Sequence, residues 1–151
     1  MNTHGHIDHV LGNAFVKREF GLELEIGRHD HETLKSVEVY AENYGFQGYE
    51  AAEPDSFINE GDVIGFGNSQ LKVILLPGHA PGHIAFYNEE ENLCIGGDVL
   101  FEGSIGRTDL PGGDFNTLID SIQNKLFKFD DEMVIHPGHG GSTTLGKEKQ
   151  T

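Results

Sequence analysis

Three imidazoles and a carboxylate fall within six consecutive positions near the start of the chain, His4-Gly5-His6-Ile7-Asp8-His9. Few folds can use that density of donors except around a cation. In an extended segment side chains two apart share a face, so His4 and His6 point the same way. A turn into a helix at Asp8 then swings Asp8 and His9 to another side, and one short loop can feed two neighbouring ions. Imidazole and carboxylate without thiolate suit zinc, iron or manganese. Further donors stand alone in glycine-flanked loops: His79 in LPGHAPGH, Asp98 in IGGDVLF and His139 in HPGHGG, which brings the set to five His and two Asp. Glycine makes up 21 of 151 residues, about twice its usual share. Its placement beside histidines marks tight loops that aim an imidazole.

The remaining composition sets the bounds. A chain of 151 residues supports one core, so residues 1–151 are expected to form a single domain. The net charge of −15 repels polyanions and argues against nucleic acid as a partner. No apolar run reaches the ~20 residues of a membrane helix, and the polar start lacks the form of a signal peptide. The lone Cys94 excludes an internal disulfide and suits a reducing compartment. A cytoplasmic protein without a membrane partner is the expectation.

The apolar pattern predicts a mixed α and β order. Val10, Leu11, Ala14 and Phe15 place a helix over Asp8 to Phe20 with Gly21 as its stop, and strict alternation over Leu22 to Ile26 reads as a strand. Leu34, Val37, Ala41 and Tyr44 restore helical spacing behind an Asp30 cap, with Gly45 as the end. Phe46 to Glu60 shows no period and reads as a loop. DVIGF, LKVILLP, IAFY and LCIGG read as strands, with Glu89-Glu90-Glu91 in a hairpin turn. Asp114 caps a helix through Leu126, and MVIHP is a last strand. His79, Asp98 and His139 then fall just past strand ends, where a sheet presents a site.

Those residues resemble the metallo-β-lactamase superfamily and, within it, the glyoxalase II-like (hydroxyacylglutathione hydrolase-like) enzymes, over nearly the whole chain. THGHIDH resembles the HxHxDH signature, PGHAPGH the second metal motif, GGD the bridging aspartate and PGHG the last histidine, in the family's order. The resemblance implies an α+β fold, the αββα sandwich. In it His4, His6 and His79 hold one metal, Asp8, His9 and His139 the other, and Asp98 bridges them. SIGRTDLPGGD is also similar to glyoxalase II-like and persulfide dioxygenase-like members, which implies supporting roles for Arg107 and Asp109. Family members place several strands before HxHxDH and the longer ones add a helical C-terminal domain. Here only Met1 and Asn2 precede Thr3 and the chain stops at TTLGKEKQT, so the expectation is a sandwich truncated at the N-terminus and at the C-terminus. Its exposed sheet edges would offer a surface for a homo-oligomer.

The implied cofactors are two divalent metal ions, zinc first, with iron or manganese as alternatives. Such a pair, roughly 3.5 to 4 Å apart, lowers the pKa of a shared water towards 7. The implied function is a thioesterase, in which a metal-bridging hydroxide attacks an acyl thioester of the hydroxyacylglutathione type and Asp8 orients it as well as binding metal. Two carboxylates against two divalent ions leave the site positive, so an acidic protein can still accept an anionic small molecule. The alternatives are a mononuclear iron persulfide dioxygenase built on a two-His, one-Asp triad, a lactonase, or a non-catalytic fragment. His29 and His31 read as surface residues, His83 and His136 as packing or supporting residues, and Cys94 as a buried small hydrophobe. Tyr40, Tyr44 and Phe46 are candidates for a pocket mouth.

Overall fold

The computed structural model describes residues 1–151. In chain order the elements are helix α1 (Ile7–Val10), α2 (Asn13–Phe20), strand β1 (Glu25–Gly27), α3 (His31–Tyr40), β2 (Ser56–Ile58), β3 (Val63–Phe66), β4 (Ser69–Leu75), β5 (Ile84–Asn88), β6 (Leu93–Gly97), β7 (Leu100–Phe101), β8 (Ser104–Ile105), α4 (Phe115–Asn124), β9 (Val134–Pro137), β10 (Thr143–Thr144) and α5 (Leu145–Glu148). Six strands form one sheet in the order β10-β9-β6-β5-β4-β3, and β1 and β2 form a small parallel sheet that Asn2 extends by one bridge to Ile26.

Alternation explains how the large sheet is covered. In β4 Leu71 and Val73 are buried while Gln70 and Lys72 face out. Leu71 and Val73 pack with Ile84 and Phe86 of β5 and Ile58 of β2, which joins the two sheets. On the opposite face Ala85, Cys94 and Ile135 pack against Leu118, Ile122 and Leu126, the apolar stripe of α4 and the turn after it. Beyond the small sheet, Ile7 and Val10 of α1 and Leu34 and Val37 of α3 close over Ile26 of β1. The layers are therefore helix, sheet, sheet, helix, the αββα sandwich that the sequence resemblance implies. Cys94 is fully buried, and burial pushes its thiol up to about 12.

The topology brings three loops to one rim. Strands β4 and β6 are both antiparallel to β5, and β9 is parallel to β6 with α4 in the crossover. All three therefore run in one direction, and His79, Asp98 and His139 follow their C-terminal ends on the same side of the sheet.

Several local expectations shift. The helix over Asp8 to Phe20 is two helices, because the chain turns at Leu11 and Gly12 before restarting. Val10 and Ala14 are buried, whereas Leu11, Phe15 and Phe20 are exposed, so the apolar stripe is narrower than the sequence suggests. The strand begins at Glu25 rather than Leu22, since Leu24 is held outside the ladder by Asp55, whose carboxylate accepts from the Leu24 N–H at 2.7 Å. Phe46 to Glu60 contains a strand, β2, whose three residues are too few to show a period. Asp114 caps α4 by accepting from the Thr117 N–H at 2.7 Å, as the sequence predicts. Asp30 makes no capping hydrogen bond to its own helix.

Gly78 is where the second metal motif meets α4. Its φ is +130°, and a Cβ there would lie 2.5 Å from Leu118 Cβ and closer still to the Leu118 backbone. Gly78→Ala is expected to cost about 3 kcal/mol or more, from a disfavoured backbone region plus overpacking of a buried helix. Gly61 also has a positive φ, +89°, but open space around it, so Gly61→Ala should cost about 1 kcal/mol. Urea unfolding of the two variants side by side checks the difference; equal costs would show that the contact with α4 contributes nothing.

Candidate metal centre

The N-terminal motif folds as its spacing requires. His6 is extended, with φ −68° and ψ 150°, and α1 begins at Ile7, one residue earlier than expected. His4 and His6 therefore share one face, and Asp8 and His9 turn away from it. Their partners arrive from the sheet rim. His79 Nε2 lies 2.9 Å from His6 Nδ1 and 3.3 Å from His4 Nε2. A tetrahedral ion with bonds of about 2.0–2.1 Å sets its nitrogen donors roughly 3.3 Å apart, so these three are spaced as ligands. In a second group His139 Nε2 lies 2.9 Å from Asp8 Oδ2 and 3.3 Å from Asp98 Oδ2, and His9 Nε2 is 3.5 and 3.4 Å from the same two oxygens. Asp98 Oδ2 is also 3.7 Å from His79 Nε2, which places that carboxylate between the groups.

Four of the seven donors are dry. His4, His6, His79 and Asp98 are buried. His9 Nε2 and Asp98 Oδ1 are buried without a hydrogen-bond partner, a cost that a cation would remove. Burial, then the neighbouring imidazoles, drives the His4 pKa far below its usual range. Burial, then His79, lowers His6 to about 4. Both rings are therefore neutral, as ligation demands. Burial opposes charge on His9, but the adjacent Asp98 and then Asp8 outweigh it and the pKa is raised. Burial likewise raises Asp98, and its neighbours His9, His139 and His79 more than reverse this and hold the carboxyl ionised.

Supporting contacts fix ring and carboxylate orientations. His79 Nδ1 and the Arg107 carbonyl are 2.8 Å apart, so Nδ1–H donates and Nε2 keeps its lone pair for the centre. Thr3 Oγ1 stands 3.1 Å from His4 Nδ1, where the hydroxyl oxygen can accept from that nitrogen in the same way. The Asp98 N–H donates to His83 Nε2 at 3.0 Å, and the His83 ring stacks on His4 with centroids 4.8 Å apart. His83 is thus a buried supporting residue, as expected, while His136 is exposed and meets Ser142 Oγ at 2.9 Å. Gly138 lets the last loop cross directly over Asp98; a Cβ there would overlap Asp98 Oδ1 and approach His9 Cε1 to 2.7 Å.

The side chains of Arg107 and Asp109 are exposed and pair with each other at 2.7 and 2.8 Å, so it is the Arg107 main chain that touches the site. Phe46 lines a cleft of about 230 Å³ with Leu11, Phe15 and Tyr49, whereas Tyr40 packs on the α1–α3 core and Tyr44 is outside that cleft. His29 is exposed and His31 meets Glu53 at 3.2 Å, both away from the centre. One residue escaped the sequence reading: Asp30, read as a helix cap, is fully buried and accepts the Gly82 N–H at 3.0 Å and also the Gly5 N–H. A lone Asp between two histidines carries no sequence signal for that reach.

The comparisons with known proteins agree with this geometry. The metallo-beta-lactamase superfamily matches residues 1–139. Hydroxyacylglutathione hydrolase GloC of Haemophilus influenzae is 41% identical over 151 residues, covering 99% of this chain and 71% of its own length. Among solved structures, TTHA1623 in a di-iron-bound form superposes with a TM-score of 0.89 at 38% identity, over 99% of this chain and 73% of that one. The BLEG-1 B3 metallo-beta-lactamase gives 0.85 at 31% identity, over 99% and 72%. No helix of the chain is long and apolar enough to cross a membrane.

Proposed function

This chain belongs to the metallo-beta-lactamase superfamily, and from that premise we propose that it is a dinuclear metal-dependent hydrolase that cleaves acyl thioesters of the hydroxyacylglutathione type. The observation behind this reading is the arrangement of seven donors in two groups that meet at Asp98. His4, His6 and His79 would hold one ion, Asp8, His9 and His139 the other, with Asp98 shared. Two divalent ions held there, zinc first and iron or manganese next, would supply an acidified water near neutral pH and a Lewis acid for the scissile carbonyl. The 41% identity to a hydroxyacylglutathione hydrolase supports the substrate class. The complete second group favours the dinuclear reading over a mononuclear iron dioxygenase, which needs only one facial triad.

The chain's own residues would perform the rest. Asp8 has a half-exposed side chain with Oδ2 2.9 Å from His139 Nε2, on the open side of the centre, where its carboxylate can accept a proton from water. Exposed His139 forms the same open wall, and the buried trio closes the floor. The Arg107–Asp109 pair would brace the loop whose Arg107 carbonyl orients His79.

Elemental analysis of the purified chain, with hydrolysis of lactoylglutathione before and after chelation, tests this. About two ions per chain, with turnover lost to chelator and restored by one of zinc, iron(II) or manganese, is expected. His4→Ala should lose both metal and turnover. A folded chain that binds no metal, or a turnover indifferent to chelator, would overturn the proposal.

A further inference from the structure

Asp30 belongs to neither donor group, yet its side chain hydrogen-bonds the backbone of both loops supplying the buried trio. It precedes α3 and is fully buried. Its Oδ1 accepts the Gly82 N–H at 3.0 Å and the Thr33 hydroxyl at 3.0 Å, and its Oδ2 accepts the Gly5 N–H. Gly5 lies between His4 and His6, and Gly82 lies three residues after His79. Both glycines press against the start of α3. A Cβ on Gly5 would lie 2.6 Å from the Leu34 nitrogen, and one on Gly82 would lie 2.7 Å from Asp30 Cβ and overlap the Asp30 nitrogen. No other residue type fits at either place without moving the loop.

We propose that Asp30 is a positioning residue of the metal centre: its buried carboxylate ties the backbone between His4 and His6 to the loop carrying His79, and so sets the spacing of the three imidazoles. The two loops are distant in sequence and share no ladder with each other near the ligands. Apart from one backbone hydrogen bond at their edge, from the Ile84 N–H to the Thr3 carbonyl at 2.9 Å, their direct connection is imidazole to imidazole, which cannot by itself set ligand spacing. A carboxylate with four lone-pair sites takes two backbone donors and a hydroxyl at once; an amide at the same place turns two N–H groups towards one of those donors. The inference rests on the metal-centre reading given above, because a spacing matters only if a ligand uses it.

The test is zinc affinity of the full chain, measured by competition with a chromophoric chelator, for wild type, Asp30→Asn and Val37→Ala. Val37 is fully buried in α3 in an apolar cluster that contains none of the seven donors, so V37A lowers stability without touching the tie. Partners that orient metal ligands typically contribute about 10- to 100-fold in affinity, and Asp30→Asn should lose that much while V37A binds as wild type does. Thr33→Val removes only the hydroxyl and should give a smaller loss that Thr33→Ser restores; this pair decides the matter if Asp30→Asn cannot be purified. Wild-type affinity in Asp30→Asn, or an equal loss in V37A, overturns the inference while leaving the metal centre standing. Absence of zinc binding in wild type removes both.

Discussion

Asp98→Asn is expected to reduce the metal content from two ions per chain to one or none and to lower thioester turnover on the order of 10³-fold, equivalent to about 4 kcal/mol of barrier. The substitution is nearly isosteric, so the contacts that place the residue survive it. The backbone N–H still donates to His83 Nε2, and Gly138 still passes over the side chain. What changes is charge at the one carboxylate that faces His79, His9 and His139 together. An amide cannot neutralise two divalent ions held side by side, and its NH₂ would face one of the imidazole nitrogens with a donor. The same loss of charge removes the main reason for the raised pKa of His9, which Asp98 sustains against burial. A variant with unchanged metal content and unchanged turnover would mean that Asp98 is a structural carboxylate and the two donor groups are not one centre.

The donor set was legible in the sequence because metal ligation restricts residue type as well as place. Only a few side chains can serve, and each of the four segments concentrates them beside glycines that a close backbone approach requires. The strand ends were legible for a related reason: the β-prone runs LKVILLP, LCIGG and MVIHP stop just before His79, Asp98 and His139, whereas the common direction of β4, β6 and β9 comes only from the pairing in the fold. What the sequence hid were contacts that use generic chemistry. Any residue has a carbonyl, so nothing in Arg107 announced that its main chain would orient His79 while its guanidinium turned to Asp109. Asp30 looked like a cap because Asp before a helical stretch usually is one; only the fold shows the carboxylate turned towards Gly5 and Gly82. Strand β2 and the hairpin of β7 and β8 were missed because two or three residues cannot display a period.

The chelator-treated protein is expected to unfold steeply in mild acid. His4, His6 and His83 are neutral in the fold with pKa values lowered by burial first, His6 to about 4 and His83 to about 3. In the unfolded chain the same imidazoles titrate near 6.5. As pH falls below 6.5 the unfolded state therefore binds protons that the folded state refuses, and stability drops by about 1.4 kcal/mol per pH unit for each such ring. Three rings would give about 4 kcal/mol per unit near pH 5, somewhat less once His6, the most open of them, is discounted for solvent screening. His9 has the opposite sign and acts elsewhere. Its raised pKa adds stability that is complete below 6.5 and is lost as pH rises through the folded value, so it leaves the acid slope unchanged. Asp98, with a lowered pKa, adds stability above the ordinary carboxylate value that is lost only in stronger acid. A domain of this size has about 5–15 kcal/mol in total, so the transition should arrive near pH 5 rather than pH 3. Urea unfolding at pH 7.5, 6 and 5 reads the slope directly. His83→Gln keeps an acceptor for the Asp98 N–H but does not titrate, and it should flatten the slope by about one proton. Stability that stays level from pH 7.5 to 5 would mean that the buried rings carry protons in the fold, and neutral imidazoles waiting for a cation could not then be the basis of the site.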